Sequence, residues 1–192
     1  MVKRGAATAL NSVRIIGGEW RRRQLHFPDS PGLRPTPDRV RETLFNWLGQ
    51  DLTGVRCLDL FAGSGALGLE ALSRGAARVV LVEQSRIVAD QLRANARLIG
   101  ALAPRAEIRR CDALEFLVHA ATEERFDLVF LDPPFGADWI ARVLPVIRPL
   151  LDPDARVYIE AEALPALDES WEIVRSGRAG AVHYALARQA AR

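Results

Sequence analysis

From Val55 onward the sequence alternates short apolar segments with segments of helical periodicity, and this alternation constrains the fold more than any other feature. Strands that alternate with helices form mostly parallel sheets covered by helices on both faces. The pattern predicts strands at 55–60, 78–83, 106–110, 126–131 and 156–161, and helices at 66–73, 87–99, 113–121 and 139–150. The sequence therefore predicts an α/β fold with a mostly parallel sheet.

Both ends of the chain depart from this alternation. Trp171–Arg175 and Ala181–Ala187 are typical of two strands, and the glycine-containing segment 176–180 joins them. This pattern predicts an antiparallel hairpin on the sheet edge and seven strands in all. Near the N-terminus, Ser12–Ile16 and Arg22–Phe27 predict a small hairpin that turns at Gly17-Gly18.

Length and composition suit one globular unit with a short appendage, since 49% of the 192 residues are hydrophobic. We expect a tail and basic hairpin in residues 1–36, with 1–11 disordered, and a larger domain in 37–192 that begins with a helix at Pro37-Asp38. The chain has no run of 18 apolar residues, so no membrane span is expected. Cys57 and Cys111 form no CxxC pair and are expected to be buried free thiols, which fits a cytoplasmic location.

Positive charge is concentrated at the front of the chain. Residues 1–50 contain nine Lys and Arg against four acids, a net of +5, whereas the whole chain has a net charge of only +2. A positive field at one end indicates a polyanionic partner. A solvated basic tail with one exposed strand would have the same composition.

An acid ends or follows each of the first four predicted strands: Asp59, Glu83, Asp112 and Asp132. Because ligands of such sheets bind at the carboxyl ends of the strands, we expect these side chains to line one site. Each of the first three has a structural alternative. Asp59 could cap the following turn, Glu83 could be a surface acid, and Asp112 could cap the helix that begins at Ala113.

The segment 63–68 has the pattern GxGxxG, and Glu83 follows Gly63 by 20 residues. This pattern also satisfies the dinucleotide fingerprint, in which glycines allow a close ligand approach and the acid accepts from ribose hydroxyls. Asp59, four residues before Gly63, would crowd a pyrophosphate but could bind a cationic ammonium group. Its position favours S-adenosylmethionine over a nicotinamide dinucleotide.

The sequence Asp132-Pro133-Pro134-Phe135 follows the fourth predicted strand. The Asp132 carboxylate and the Pro133 carbonyl can both accept hydrogen bonds from an amine, and the Phe135 ring can stack on a planar group. The two prolines hold the turn rigid. Together with the glycine loop, this turn indicates methylation of the exocyclic amine of a nucleobase by S-adenosylmethionine.

Four segments carry a resemblance to a known family: Arg14–Gly18, Arg34–Glu42, Leu58–Gly65 and Asp132–Phe135. Over roughly residues 13–188 the chain resembles the bacterial 16S ribosomal RNA guanine-N2 methyltransferases of the RsmD type. The glycine loop would mark any class I methyltransferase, whereas Arg34–Glu42 is the discriminating segment. The resemblance implies a class I S-adenosylmethionine-dependent (Rossmann-like) fold. Its seven-stranded, mostly parallel sheet would have an antiparallel C-terminal hairpin and be preceded by a small N-terminal β-hairpin.

The resemblance also implies which residues form the site. The catalytic residues that hold the target base are Asp132, Pro133, Pro134 and Phe135. The residues that bind the cofactor S-adenosylmethionine are Asp59, Phe61, Ala62, Gly63, Ser64, Gly65, Glu83, Gln84, Ser85, Asp112 and Ala113. The residues that meet RNA are Arg14, Trp20, Arg21, Arg22, Arg23, Arg34, Thr36 and Arg39. No metal is expected, because the three histidines are scattered along the sequence.

Several of these residues have alternative roles. Trp20 could stack on a base or cover the core, and Phe135 could pack into the core instead of against the substrate. Arg39 could pair with Glu42. If Arg21–Arg23 lie in a strand, not all three can face one ligand, and we expect at least one to contact phosphate.

The implied reaction is methyl transfer to the N2 amine of a specific guanine in 16S ribosomal RNA. The resemblance implies assembled or nearly assembled 30S subunits as the substrate and ribosomal proteins as further partners, and monomer is the default state. Three other functions stay open: an amino-methyltransferase of DNA adenine or protein glutamine, an NAD-dependent oxidoreductase, and a non-catalytic RNA-binding module. The first of these more often carries Asn where this chain has Asp132.

Overall fold

The computed structural model describes residues 10–120, 124–136 and 138–190. These residues form a two-stranded hairpin, a seven-stranded sheet and helices that cover both faces of that sheet. In chain order the elements are β1 (Leu10–Arg14), β2 (Gln24–Pro28), α1 (Asp38–Leu48), β3 (Arg56–Asp59), α2 (Gly68–Ser73), β4 (Arg78–Val82), α3 (Arg86–Ile99), β5 (Ala106–Arg109), α4 (Ala113–His119), β6 (Phe126–Leu131), α5 (Trp139–Ile147), a 3₁₀ turn (Arg148–Leu150), β7 (Leu151–Ala161), β8 (Trp171–Ala179) and β9 (Val182–Gln189).

The strand order in the large sheet is β5-β4-β3-β6-β7-β9-β8. The five strands from β3 to β7 are parallel to one another, and β9 is antiparallel to both of its neighbours. This topology confirms the predicted α/β class, with its mostly parallel sheet, antiparallel C-terminal hairpin and separate N-terminal hairpin. It is the arrangement in which ligands bind at the carboxyl ends of the parallel strands.

The central strands are apolar on both faces because helices cover both faces of the sheet. In β4, for example, Val79 and Leu81 pack with helices α1 to α3, while Val80 and Val82 pack with α4 and α5. All four side chains are at most 1% exposed. This double burial explains why these strands are continuous apolar runs in the sequence. In the part of the chain that the structure describes, no helix is long and apolar enough to cross a membrane.

The N-terminal hairpin differs from its prediction. Strand β1 begins at Leu10, so Leu10 and Asn11 are in a strand and not disordered, whereas the rest of the predicted tail, 1–9, lies outside the described residues. The turn is not confined to Gly17-Gly18, because the connection runs from 15 to 23. Ile15 still exchanges backbone hydrogen bonds with Arg22 and Arg23, whereas the backbone amides of residues 16 and 17 donate to the Glu70 side chain.

The remaining boundaries differ by a few residues. Strand β7 begins at Leu151, five residues before the prediction, with an irregularity opposite β6. Strand β8 continues to Ala179, so most of the predicted link 176–180 is paired with β9, and the chain turns at Gly180, whose φ is +62°. Helix α5 ends at Ile147, where a 3₁₀ turn follows, and the last residue predicted for helix 113–121 lies outside the described residues.

The hairpin packs on the same core as the large sheet. Ile15 and Leu25 are fully buried and join the apolar cluster under α1, α2 and α3. Asn95 of α3 bonds both backbone groups of His26, accepting from its N–H at 3.0 Å and donating to its carbonyl at 2.7 Å. The division of the chain at residue 36 therefore stays a prediction about sequence segments, because the hairpin has no separate apolar core among the described residues.

A buried carboxylate anchors the hairpin. Glu70 of α2 is 0% exposed, and its two oxygens accept from the backbone amides of Ile16 at 2.7 Å and Gly17 at 2.8 Å. Two arginines neutralise it: Arg74 Nε lies 2.9 Å and Arg41 Nη1 lies 3.3 Å from its oxygens. Buried charges are stable only when they are paired and hydrogen-bonded. The fold therefore requires Glu70, Arg74 and Arg41 together.

Arg41 extends this cluster toward the sheet edge. Its side chain is 0% exposed, and besides Glu70 it donates to the backbone carbonyls of Arg14 at 2.8 Å and Thr36 at 3.2 Å and to Asp38 at 2.6 Å. One guanidinium thus joins the hairpin, the segment before α1 and the helix α1 itself. Arg39, which was predicted as a possible partner of Glu42, is exposed.

We expect Glu70→Gln to lower the free energy of unfolding by about 3 kcal/mol, because it removes the counter-charge of the buried Arg74 and one of the two acids that pair with Arg41. Urea denaturation measures this loss. Arg188→Ala is the matched control, since Arg188 pairs with Glu172 on the surface and should cost less than about 1 kcal/mol. Equal losses for the two variants would contradict the anchoring role of Glu70.

Candidate active site

A cavity of about 610 Å³ opens at the carboxyl ends of the parallel strands. Its volume lies within the range of pockets for small-molecule ligands. The ends of β3, β4 and β6 form its floor, and the segment 30–36 forms one wall. A second, more open hollow of about 940 Å³ lies at the amino ends of β6 and β7, and none of the predicted site residues lines it.

The cavity brings together almost the whole predicted cofactor and catalytic set. The predicted residues that line it are Asp59, Phe61, Ala62, Gly63, Ser64, Glu83, Gln84, Ser85, Asp112, Ala113, Asp132, Pro133, Pro134 and Phe135. Gly65 is the exception, because it is buried beneath the loop. At its φ of +83°, a Cβ atom would come within 2.5 Å of Leu92 on α3. Gly65 therefore allows the loop to pack on α3 and does not line the cavity.

The glycine loop is held from both sides. Gly63 has a φ of +50°, and a Cβ atom there would come within 2.7 Å of Leu33 in the wall segment. Its backbone N–H donates to Glu83 at 3.1 Å, and Glu83 also accepts from the N–H of Ser85 at 2.7 Å. Glu83 is half-buried and burial raises its pKa, so it is not a simple surface acid.

Asp59 has the capping role that was considered as its alternative. Its side chain is 1% exposed and accepts from the backbone N–H of Gly68 at 2.9 Å. Burial raises the pKa of this carboxyl to about 7, and the nearby Glu83 adds to the rise, although bonds from the backbone of Gly68 and Phe61 oppose it. Because Asp59 also lines the cavity, its contact with a cofactor stays a prediction.

Asp112 caps α4, which is the structural role that the sequence offered as its alternative. One of its carboxylate oxygens accepts from the backbone N–H groups of Leu114 at 2.8 Å and Glu115 at 3.2 Å. The residue nonetheless lines the cavity, so capping and ligand contact are compatible here. Cys111, beside it, follows β5 and is only half-buried, unlike Cys57, which is fully buried in β3; both are free thiols.

Asp132 lies at the end of β6 and receives a hydrogen bond from Thr36, whose hydroxyl is 3.1 Å away. Thr36 was predicted to meet RNA, but it is 3% exposed and lies inside the site. Burial and the nearby acid Glu160 raise the pKa of Asp132 well above its ordinary value, and the Thr36 hydrogen bond lowers it in part. Asp132 is therefore a more basic carboxylate than one on the surface.

The structure adds residues that sequence reasoning missed. Glu160 is a buried acid at the carboxyl end of β7, and Tyr158 donates to it at 2.8 Å. The rule that identified the four other acids, an acid at the end of a parallel strand, would also have identified Glu160. Trp139 gave no signal in the sequence, but its ring meets Phe61 edge to face at 5.3 Å on the cavity wall.

The predicted RNA residues separate into three groups. Arg34 lines the cavity mouth beside Thr36. The exposed arginines away from the cavity floor are Arg14, Arg21, Arg22, Arg23 and Arg39. Trp20 is 8% exposed and packs in the core, with the Arg105 guanidinium 5.6 Å from its ring, so the core role is the one observed.

The arginine run is not in a strand. Arg21 and Arg22 lie in the turn between β1 and β2, Arg22 has a φ of +70°, and β2 begins only at Gln24. Because these three arginines are not in a strand, their side chains do not alternate between two faces. All three are exposed on one connection. Phe135 is 51% exposed at the cavity and is not a core residue.

The strand order, the glycine loop after β3 and the acids at successive strand ends define the chain as a class I S-adenosylmethionine-dependent methyltransferase. Comparisons with known proteins agree. The family model described as Conserved hypothetical protein 95 matches residues 13–188. The chain therefore belongs to this family, which is that of the RsmD-type methyltransferases.

Two curated relatives and one solved structure illustrate the relationship. Ribosomal RNA small subunit methyltransferase D of Escherichia coli (strain K12) is 46% identical over 179 residues, covering 91% of this chain and 88% of that protein. The protein of the same name from Haemophilus influenzae is 41% identical over 190 residues, covering 97% and 98%. The structure of the putative methyltransferase yhhF from Escherichia coli has a TM-score of 0.82 and 42% identity, covering 95% of this chain and all of that one.

We expect the affinity for S-adenosylmethionine to fall below pH 7. The pKa of Asp59 is raised to about 7, so this carboxyl becomes protonated as the pH falls and loses the charge that would attract the cofactor's ammonium group. Calorimetric titration should give a Kd about tenfold weaker at pH 6 than at pH 8. Asp59→Asn should bind weakly at both values; a wild-type Kd that is equal at pH 6 and pH 8 would contradict this role.

Proposed function

We propose that this protein transfers a methyl group from S-adenosylmethionine to the exocyclic N2 amine of a guanine in 16S ribosomal RNA, on assembled or nearly assembled 30S subunits. The observation that carries the proposal is the position of Asp132–Phe135 at the cavity, with the Asp132 carboxylate fixed by a buried hydroxyl. The names of the relatives support ribosomal RNA of the small subunit as the substrate. The choice of a guanine amine as the methyl acceptor rests on the chemistry of the Asp132–Phe135 turn and on the resemblance to the guanine-N2 methyltransferases.

The cavity suits the cofactor in size and in chemistry. Glu83, at the end of β4, and Asp112 both line the cavity. We assign Glu83 to the ribose hydroxyls and Asp112 to the adenine amine. Asp59 supplies negative charge for the amino-acid ammonium group, and Val88 offers an apolar wall. Bound S-adenosylmethionine supplies an already activated methyl group, so the protein needs neither a metal nor a covalent nucleophile.

The protein's main task is to activate a poor nucleophile. The lone pair of a guanine N2 amine is delocalised into the ring, so the nitrogen is flat and weakly nucleophilic. Hydrogen bonds from its two N–H groups to the Asp132 carboxylate and the Pro133 carbonyl favour a pyramidal nitrogen, whose lone pair then points at the methyl group. The Asp132 charge also offsets the positive charge that develops on nitrogen. Rigid placement by the two prolines supplies orientation.

We assign to Phe135 the role of holding the base. Its ring is 51% exposed at the cavity, so it can stack on a base that has left its own stack without first leaving the protein core. Base stacking of this kind accompanies the extrusion of a target nucleotide. Arg34, at the same mouth, can meet the phosphate next to the extruded base.

The exposed arginines of the hairpin connection complete the proposed RNA surface. Arg21, Arg22 and Arg23 lie together outside the cavity, and Arg14 is also exposed, although Asp38 pairs with it at 2.7 Å. Arginine favours bidentate phosphate contacts, which position an RNA without reading its sequence. Contact with ribosomal proteins, a monomeric state and a cytoplasmic location stay predictions.

We expect Asp132→Ala to abolish methyl transfer while it leaves the affinity for S-adenosylmethionine nearly unchanged, because the carboxylate acts on the amine. The assay follows labelled methyl groups into 30S subunits that lack their modifications, with naked 16S ribosomal RNA and duplex DNA beside them, and identifies the product nucleoside by mass. N2-methylguanosine formed with 30S subunits by the wild type supports the proposal. A variant that keeps near-wild-type activity, or a different product nucleoside, would contradict it.

We expect replacement of Arg21, Arg22 and Arg23 by Ala to raise the KM for the RNA substrate and to leave kcat nearly unchanged. Each lost phosphate contact should reduce the slope of log affinity against log salt by about 0.7 to 0.9. The matched control replaces three other exposed arginines, Arg156, Arg175 and Arg178, on strands β7 and β8. If both triple variants change the KM equally, the hairpin connection is not a specific RNA surface.

A further inference from the structure

Asp132 has an acidic neighbour on the next strand. Strands β6 and β7 are parallel, and their register pairs Leu131 with Ile159. The next residue on each strand is therefore Asp132 on β6 and Glu160 on β7, side by side at a strand spacing of about 4.8 Å. Side chains at paired positions point to the same face of the sheet. The register thus places the buried Glu160 carboxyl beside Asp132, which lines the cavity.

Thr36 lies between the two carboxyl groups. Its hydroxyl donates to Asp132 at 3.1 Å and is also a hydrogen-bonding neighbour of Glu160. A single hydroxyl can donate to only one of them at a time. Tyr158 donates to Glu160 at 2.8 Å, and the Arg41 guanidinium is a nearby positive charge. Glu160 therefore has more groups that favour its ionised form than Asp132 has.

The charged and titratable groups around Asp132 come from three strands and one helix. From β7 it faces Glu160 and Tyr158, from β3 it faces Asp59, and Tyr184 of β9 contacts Tyr158. Arg41 of α1 acts on Glu160. Two adjacent carboxyl groups with limited access to water do not both ionise easily. Burial raises the pKa of both acids, the charge of Glu160 adds to the rise for Asp132, and Glu160, with the better partners, is the one that ionises first.

We propose that Glu160 is a positioning residue whose carboxylate makes Asp132 basic enough to take the proton released from the amine nitrogen at methyl transfer. This inference rests on the proposed function, because it assumes an amine as the methyl acceptor. A general base is most effective when its affinity for protons matches the working pH. An isolated surface aspartate would be too weak a base for this role.

The amine nitrogen uses its lone pair to form the C–N bond, and the electron pair of the broken C–S bond stays on sulfur. The nitrogen, now positively charged, loses one N–H proton to an oxygen of Asp132, and the N–H electron pair returns to nitrogen. Asp132 loses the proton it holds in the free protein to water when the amine binds. It loses the transferred proton to water when the product leaves.

The test compares the pH dependence of kcat for the wild type and Glu160→Gln, with 30S subunits as the substrate. Without the neighbouring charge Asp132 is a weaker base, so the acidic limb of the profile should move to lower pH and the plateau should fall about tenfold. Glu160→Asp keeps the charge and should keep the limb near its wild-type position. Glu162→Gln, at an exposed acid two residues further on, should leave the profile unchanged. A plateau that falls without movement of the limb would show a merely structural role and overturn the proposal.

A second measurement does not depend on activity. Carboxyl ¹³C resonances of the wild type, with the Asp132 signal identified by its loss in Asp132→Asn, should show Glu160 ionising first and Asp132 keeping its proton to a higher pH. A signal of Asp132 that titrates in the ordinary aspartate range would overturn the proposal even if Glu160→Gln does not fold. If the wild type methylates no guanine in ribosomal RNA, the proposed function fails, whereas the titration of the Asp132 signal, compared between the wild type and Glu160→Gln, still decides whether Glu160 acts on Asp132.

Discussion

The buried carboxylate of Glu70 is the interaction on which the rest of the structure depends. It lies in a short helix, accepts from two backbone amides of the hairpin and binds two buried guanidinium groups. A carboxylate in that position costs much free energy unless all of these partners are present. The hairpin, the helix α1 and the glycine-loop helix α2 are therefore stable only as one assembly.

This anchoring reaches the catalytic turn through a short chain of contacts. Arg41 joins Glu70 to the backbone carbonyl of Thr36, and the Thr36 hydroxyl joins that segment to Asp132. The same wall segment covers the glycine loop through Leu33. The N-terminal part of the chain, which a charge count assigns to RNA contact alone, thus also shapes the site. One physical unit holds the basic hairpin and Asp132 at the cavity.

Much of the site could be predicted because strand ends are visible in a sequence. Asp59, Glu83, Asp112 and Asp132 each end or follow an apolar run, and a parallel sheet brings such positions to one edge. The placements that the sequence did not show concern contacts between distant segments. Trp20 packs in the core, Thr36 lies within the site, and Gly65 packs on α3, because burial depends on which elements meet and not on local pattern.

The sequence by itself determined the α/β class, the carboxyl-end site and the Asp132–Phe135 turn at that site, since hydrophobic periodicity and turn chemistry are local properties of the chain. Only the tertiary structure decided that Glu160 lies beside Asp132, that Thr36 bonds Asp132 and that Glu70 anchors the hairpin. The residues in each of these contacts are between 28 and 96 positions apart in the sequence, and the position of Glu160 beside Asp132 also depends on strand register. The physical reason is that strand order and register are set by the packing of the whole core, which no short segment encodes.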